Sequence, residues 1–212
     1  MPLSNSLLVL LLLLNLLVLG TSRIRSLVQA VAFQGVILSV LTIALEHHLR
    51  FHIVLVCVLT VIIKSSVIPT MLSRAMRELP IRREVEPLVG LGMSMILGAA
   101  GTGLAVAFAY KLPLAGSHVG SLLVPAALST VFTGFLVLTT RMKAITQVIG
   151  YLILENGIFI FGLLLLEAMP LLVELGVLLD LFVGIFVMGI IIGHINREFA
   201  SVNTELLSAL KE

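Results

Sequence analysis

Four ionisable residues interrupt apolar stretches of the chain: Lys64 in CVLTVIIKSSVIPTML, Glu155 in GYLILENG, and Glu174 and Asp180 in LLVELGVLLDLFVG. An ionised side chain at the centre of a bilayer costs about 2.5–3.5 kcal/mol on insertion scales, so something must offset that cost. Such residues mark ion or proton pathways. Burial favours the neutral form of an acid and a nearby positive charge favours its ionised form, so a modest rearrangement can move a proton. A buried lysine can exchange a proton itself or set the ionisation of a neighbouring carboxylate. The plainer alternative for each is a buried polar contact that fixes helix register; for Lys64 it is snorkelling to the inner interface. Glu174 lies about one turn from the outer end of its stretch, within reach of water.

Spacing sharpens this set. The stretches holding Glu155 and Asp180 are joined by a few residues around EAMPL and are expected to form an antiparallel hairpin. Counted from Met169, Glu155 is fourteen residues back and Asp180 eleven forward. At about 1.5 Å per residue their depths differ by about 5 Å. Gly176 and Gly184 stand one turn either side of Asp180, a close-packing helix face that turns the acid toward protein. Gly150 and Gly157 bracket Glu155 and are likewise assigned to helix packing. Glu155 shares a stripe with Tyr151, Phe159 and Gly162 and sits beside Asn156, a polar neighbour within reach. Glu174 falls about 120° round the helix from Asp180, on another face. Pro69, one turn beyond Lys64, frees a backbone carbonyl and is read as a hinge. A relay of Glu155, Asp180, Lys64 and Glu174 is the chemistry these positions suggest.

The elements that carry them are membrane spans. Of 212 residues, 59% are hydrophobic and 11% charged, against roughly 45–50% and 25% in soluble domains. Seven stretches reach the length of about 20 mostly apolar residues that a spanning helix needs: Leu3–Leu19, Leu27–Leu45, Phe51–Met71, Pro87–Tyr110, Gly120–Leu138, Gln147–Leu166 and Leu171–Ile195. The expected fold is an all-α integral membrane bundle of seven transmembrane helices over 1–196, followed by a tail over 197–212. Val202, Leu206, Leu207 and Leu210 give that tail the spacing of a short amphipathic helix. The first stretch lacks the positively charged start of a secretory signal and is read as a retained span.

Loop cations set the orientation. Arg23, Arg25, Arg74, Arg77, Arg82, Arg83, Arg141, Lys143, Arg197 and Lys211 fall in the odd-numbered loops and the tail, ten against two (Arg50 and Lys111) on the other side. The N-terminus is therefore expected outside and the C-terminus in the cytoplasm. SRAMRELPIRREVE reads as this topology signal, or as a docking surface for a cytoplasmic or anionic-lipid partner.

Other chemistry lacks its residues. The lone Cys57 excludes an intrachain disulfide, a self-contained iron–sulfur cluster and a multi-cysteine zinc site. There is no GxxxxGK[ST] phosphate loop and no GxSxG elbow. His47, His48 and His52 read as a solvated turn rather than a metal site. The glycines at 90, 92, 98, 101 and 103 read as helix packing. No metal, cofactor or nucleic-acid partner is expected.

IIKSSVIPTML, VIGYLILENG, MPLLVELGVLLDLFVGIFVM and SVNTELLSALKE together resemble component E of the hydrogenase-4 type membrane complexes. These are formate hydrogenlyase-like assemblies with [NiFe]-hydrogenase modules, related to respiratory NADH dehydrogenase. The last three spans, 120–195, are also similar to the small K-type subunit of that dehydrogenase and to the C-type component of multisubunit sodium/proton antiporters. In the K-type subunit one acid stands at the position of Leu152 here; Glu155 is one turn later, and Asp180 matches the last-helix glutamate as the shorter acid. The resemblance implies a cofactor-free subunit of a prokaryotic inner-membrane oxidoreductase complex, not an enzyme on its own. Its implied neighbours are the hydrogenase soluble arm and large antiporter-like membrane subunits. Two alternatives stay open: a subunit of a cation/proton antiporter or stand-alone secondary transporter, and a purely structural membrane scaffold.

Overall fold

A computed structural model describes residues 2–45, 58, 61–78, 85, 87–112, 121–164, 176, 182 and 189. Among these the chain is all-helical. Helix α1 is Pro2–Gly20 and α2 is Ile24–Leu45; a π-helical turn, Ile62–Val67, runs into α3, Ile68–Glu78; α4 is Leu91–Ala109, α5 Leu123–Thr140 and α6 Ala144–Leu164. Among the described residues, five helices (α1, α2, α4, α5 and α6) are long and apolar enough to cross a membrane. The protein is a helical membrane protein. These five correspond to the first, second, fourth, fifth and sixth apolar stretches. The third is described at 58 and from 61 onward. The seventh, with Glu174, Asp180 and Gly184, lies outside the described residues apart from 176, 182 and 189, as do the histidine-containing turn and the tail.

The third stretch differs from expectation at its polar end. Helix continues beyond Met71 to Glu78, through the first half of the segment read as a loop. Ala75, Met76, Arg77 and Glu78 have good helix propensity.

Helices α5 and α6 form the tightest pair, and glycine is the reason. A Cβ added to Gly134 would lie 2.5 Å from the Leu154 backbone nitrogen, one on Gly150 2.7 Å from that of Leu138, and one on Gly157 2.6 Å from that of Val131. The two backbones touch where side chains would otherwise hold them apart. Helix α2 packs on α6, on the π-turn and on α3; α1 packs on α2, α4 and α5. On α4, Gly98 and Gly101 face Leu19 and Phe132, while an added Cβ at Gly90, Gly92 or Gly103 would meet no described atom. Among the described residues, the packing role expected of these five glycines is seen at Gly98 and Gly101.

The buried apolar side chains fall into two clusters. One gathers Val18, Leu19, Leu27, Val28, Leu72, Val137, Ile149 and Ile153. The other gathers Leu8, Leu11, Leu38, Leu41, Leu123, Ala127, Phe159 and Ile160. Along α1, α2, α5 and α6 the changeover between clusters comes near mid-helix, and the buried Asn15, Gln34, Thr130, Glu155 and Asn156 lie there.

The connections after α1, before α4 and after α5 meet at one end of the bundle. Val85 N–H donates to Ser22 O (2.7 Å) and Leu88 N–H to Thr140 O (2.8 Å), Pro87 pairs with Arg141 as an isolated β-bridge, and Arg141 Nη2 donates to Leu19 O at 3.1 Å. At the opposite end the Leu122 N–H donates to Asn5 Oδ1 at 3.4 Å.

Candidate functional site: a buried ion pair on an amide chain

Lys64 Nζ lies 2.6 Å from Glu155 Oε1, and the two side chains are 5% and 2% exposed. Lys64 therefore points across the bundle to the middle of α6 rather than along its own helix to an end: Glu155 is the twelfth residue of the 21-residue α6, about 16 Å along its axis at about 1.5 Å per residue. Both carriers are locally adapted. Pro69 has no N–H, and its ring crowds the carbonyl four residues back. The helix just before it widens into the π-turn, closed by Ile68 N–H donating to Ile63 O. Single π-turns of this kind occur frequently at functional sites. Gly35 on α2 then admits the lysine, since a Cβ there would stand 2.8 Å from Lys64 Cβ.

Lys64 Nζ also donates to Asn156 Oδ1 at 3.0 Å and lies 5.7 Å from the centre of the Phe159 ring, a cation–π distance. From Asn156 the contacts continue. Asn156 Nδ2 donates to Gln34 Oε1 at 3.2 Å. Gln34 Nε2 donates to Asn15 Oδ1 at 2.9 Å. Asn15 Nδ2 donates to Thr130 Oγ1 at 2.8 Å, and Thr130 donates to Ala126 O at 2.7 Å. All six side chains, from Glu155 to Thr130, are buried. They form a polar belt across α6, the π-turn, α2, α1 and α5, between the two apolar clusters. Next to Thr130, the Ser129 hydroxyl meets that of Thr102 on α4 at 2.7 Å. Glu155 Oε2 has no hydrogen-bond partner among the described residues.

Of the four relay positions expected from sequence, the structure brings Lys64 and Glu155 together; Asp180 and Glu174 lie outside the described residues. Gly150 and Gly157 stand at the α5–α6 crossing, and an added Cβ at Gly176 meets no described atom. Asn15, Gln34 and Thr130 were not singled out by sequence. Their signal was there, since LLLLLNLLVL and VAFQGVIL each carry one neutral amide in an apolar run. Other hydroxyls in these helices, such as Ser39 and Thr42, bond the carbonyl four residues back and need no partner helix.

Arg141 departs from its expected role as a solvated loop cation. It is 1% exposed, and burial pushes its guanidinium below the usual arginine value, although an arginine keeps its charge in proteins. Its Nη1 has no hydrogen-bond partner among the described residues. No group of three or more His, Cys, Asp or Glu that could hold a metal occurs among the described residues.

No family model matches the chain, and no solved structure matches it. An uncharacterized protein of Mycobacterium tuberculosis is 32% identical over 204 residues, covering 93% of this chain and 91% of that protein. Hydrogenase-4 component E of Escherichia coli K12 is 30% identical over 153 residues, covering 71% of this chain and 69% of that protein; component E of Shigella flexneri gives the same figures. By that identity and coverage, the chain belongs to the hydrogenase-4 component E family.

Proposed function

We propose that this chain is a non-redox membrane subunit of a [NiFe]-hydrogenase complex of the formate hydrogenlyase type in a prokaryotic inner membrane, and that its buried ion pair takes part in moving ions across the membrane during electron transfer. The observation that carries this reading is the contact of Lys64 with Glu155 at the middle of α6, 2.6 Å apart, in a chain similar to a hydrogenase component. The pair has two arrangements, charged on both members or neutral on both, and a change in nearby charge shifts the proton between them. The scale is adequate: a charge crossing 100 mV involves about 2.3 kcal/mol, and a tenfold change in a protonation equilibrium about 1.4 kcal/mol. Asp180, and with a lesser role Glu174, extend the relay into the seventh span, and the K-like organisation of 120–195 belongs to the same proposal. So do the seven-span count, the external N-terminus, and the soluble arm and antiporter-like subunits as neighbours.

Two measurements test it. Purification of the native complex should recover the chain with a hydrogenase soluble arm and large membrane subunits; recovery as a lone homo-oligomer would sink the assignment. Glu155→Gln keeps size and hydrogen bonding but cannot ionise. The variant complex should assemble and transfer electrons while moving fewer ions per electron in sealed vesicles. Unchanged stoichiometry makes the pair a structural contact and the chain a scaffold.

A further inference from the structure

The amide chain has a direction, and the direction is imposed by its ends. A lysine ammonium has three donors and no acceptor, so Asn156 must turn its carbonyl oxygen to Lys64 and its amino group away. Gln34 must then present Oε1 to Asn156 and its own amino group to Asn15. Asn15 repeats the pattern toward Thr130. Thr130 in turn donates to the Ala126 carbonyl, a group that only accepts. A donor-only group at one end and an acceptor-only group at the other leave one orientation for everything between. Every carbonyl oxygen in the chain, on Asn156, Gln34 and Asn15, points toward the ammonium.

We infer that the Asn156–Gln34–Asn15–Thr130 chain is a fixed dipole strut that holds the positive charge on Lys64, with Gln34, Asn15 and Thr130 as positioning residues for the ion pair. Its aligned dipoles act where little water screens them, so they bear strongly on a neighbouring charge. The chain is unsuited to passing the proton itself. A carboxamide protonated on oxygen must lose its next proton from nitrogen, and every amide would be left as its imidic tautomer. The reaction the strut opposes is internal to the pair. The Nζ–H bond breaks and an O–H bond forms at Glu155 Oε1, 2.6 Å away, leaving a neutral amine and a neutral acid. Glu155 Oε2, which has no partner among the described residues, is the face left open for exchange with the rest of a pathway.

The inference rests on the proposed relay only for its purpose, and infrared spectroscopy tests it separately. The full chain, with isotope-labelled glutamate, is placed in lipid vesicles at neutral pH. The difference from the Glu155→Gln variant isolates the Glu155 signal, which should be that of a carboxylate. Gln34→Leu removes the central dipole and should raise the acid-form fraction about tenfold, a shift of about 1.4 kcal/mol. Thr130→Val keeps the shape but drops the last acceptor, and should move the signal less in the same direction. If Thr130→Val and a folded Gln34→Leu both leave that signal unchanged, the strut is wrong; if Gln34→Leu does not fold, Thr130→Val decides alone. The relay is judged by pumping in Glu155→Gln, so either idea can fail without the other.

Discussion

Removing one member of the Lys64–Glu155 pair leaves the other buried without its counter-charge. Breaking a buried pair in this way costs about 3–5 kcal/mol, whereas replacing both members with neutral residues of similar volume is often close to neutral. Lys64→Met should therefore lower the thermal unfolding midpoint of the full chain in detergent, and Glu155→Gln added to it should recover much of the loss. Strictly additive losses would show that the two side chains are not coupled. These two residues could be read from sequence because a charge in an apolar run is costly enough to demand an explanation. The amides could not be ranked in the same way. An interhelical hydrogen bond in a membrane is worth about 0.6 kcal/mol on average, so a single Asn or Gln carries little weight until its partners are known. Only the fold shows that Asn15, Gln34 and Asn156 are consecutive members of one chain.

At the scale of the helix, apolar length located five of the described spans, since a membrane helix must satisfy its backbone internally and therefore runs as one long apolar segment. What length could not show is the widening at Ile62–Val67. The proline is visible in the sequence, but the choice between a kink and a π-turn depends on what the neighbouring helix can accept, here Gly35. The α5–α6 contact is equally a property of two helices, and Gly134 gained its role only from the partner backbone. Ala at 157 would place a Cβ 2.6 Å from the Val131 backbone nitrogen, which cannot move aside as a side chain tip can. Overpacking of this kind costs about 1–3 kcal/mol, so Gly157→Ala should destabilise the chain in detergent melts. Gly103→Ala, on a face of α4 where no described atom stands within 4 Å, should be neutral or slightly stabilising given alanine's helix propensity. Equal effects at the two positions would show that the α5–α6 crossing is not set by backbone contact.

For the whole molecule, the question is which side of the membrane each end of the bundle faces. The expected asymmetry of ten cations against two included Arg141, which the fold buries. Its removal from the solvated set leaves the sign of the asymmetry unchanged. The fold adds an independent constraint. Ser22, Val85, Pro87, Thr140 and Arg141 meet at one end, while Asn5 and Leu122 meet at the other. The connections after α1 and α5, with the segment before α4, therefore share a side, opposite the start of α1. Arg23, Arg25 and Lys143 belong to those same connections, so the cation rule assigns that side to the cytoplasm. A reporter placed between Arg77 and Arg82 should be cytoplasmic, and one within 111–117 external. A reporter after Glu212 should be cytoplasmic if the stretch 171–195 crosses once more. An external reading there, with the other two as expected, would remove the seventh span and the hairpin that brings Asp180 to the depth of Glu155. The relay would then end at the Lys64–Glu155 pair.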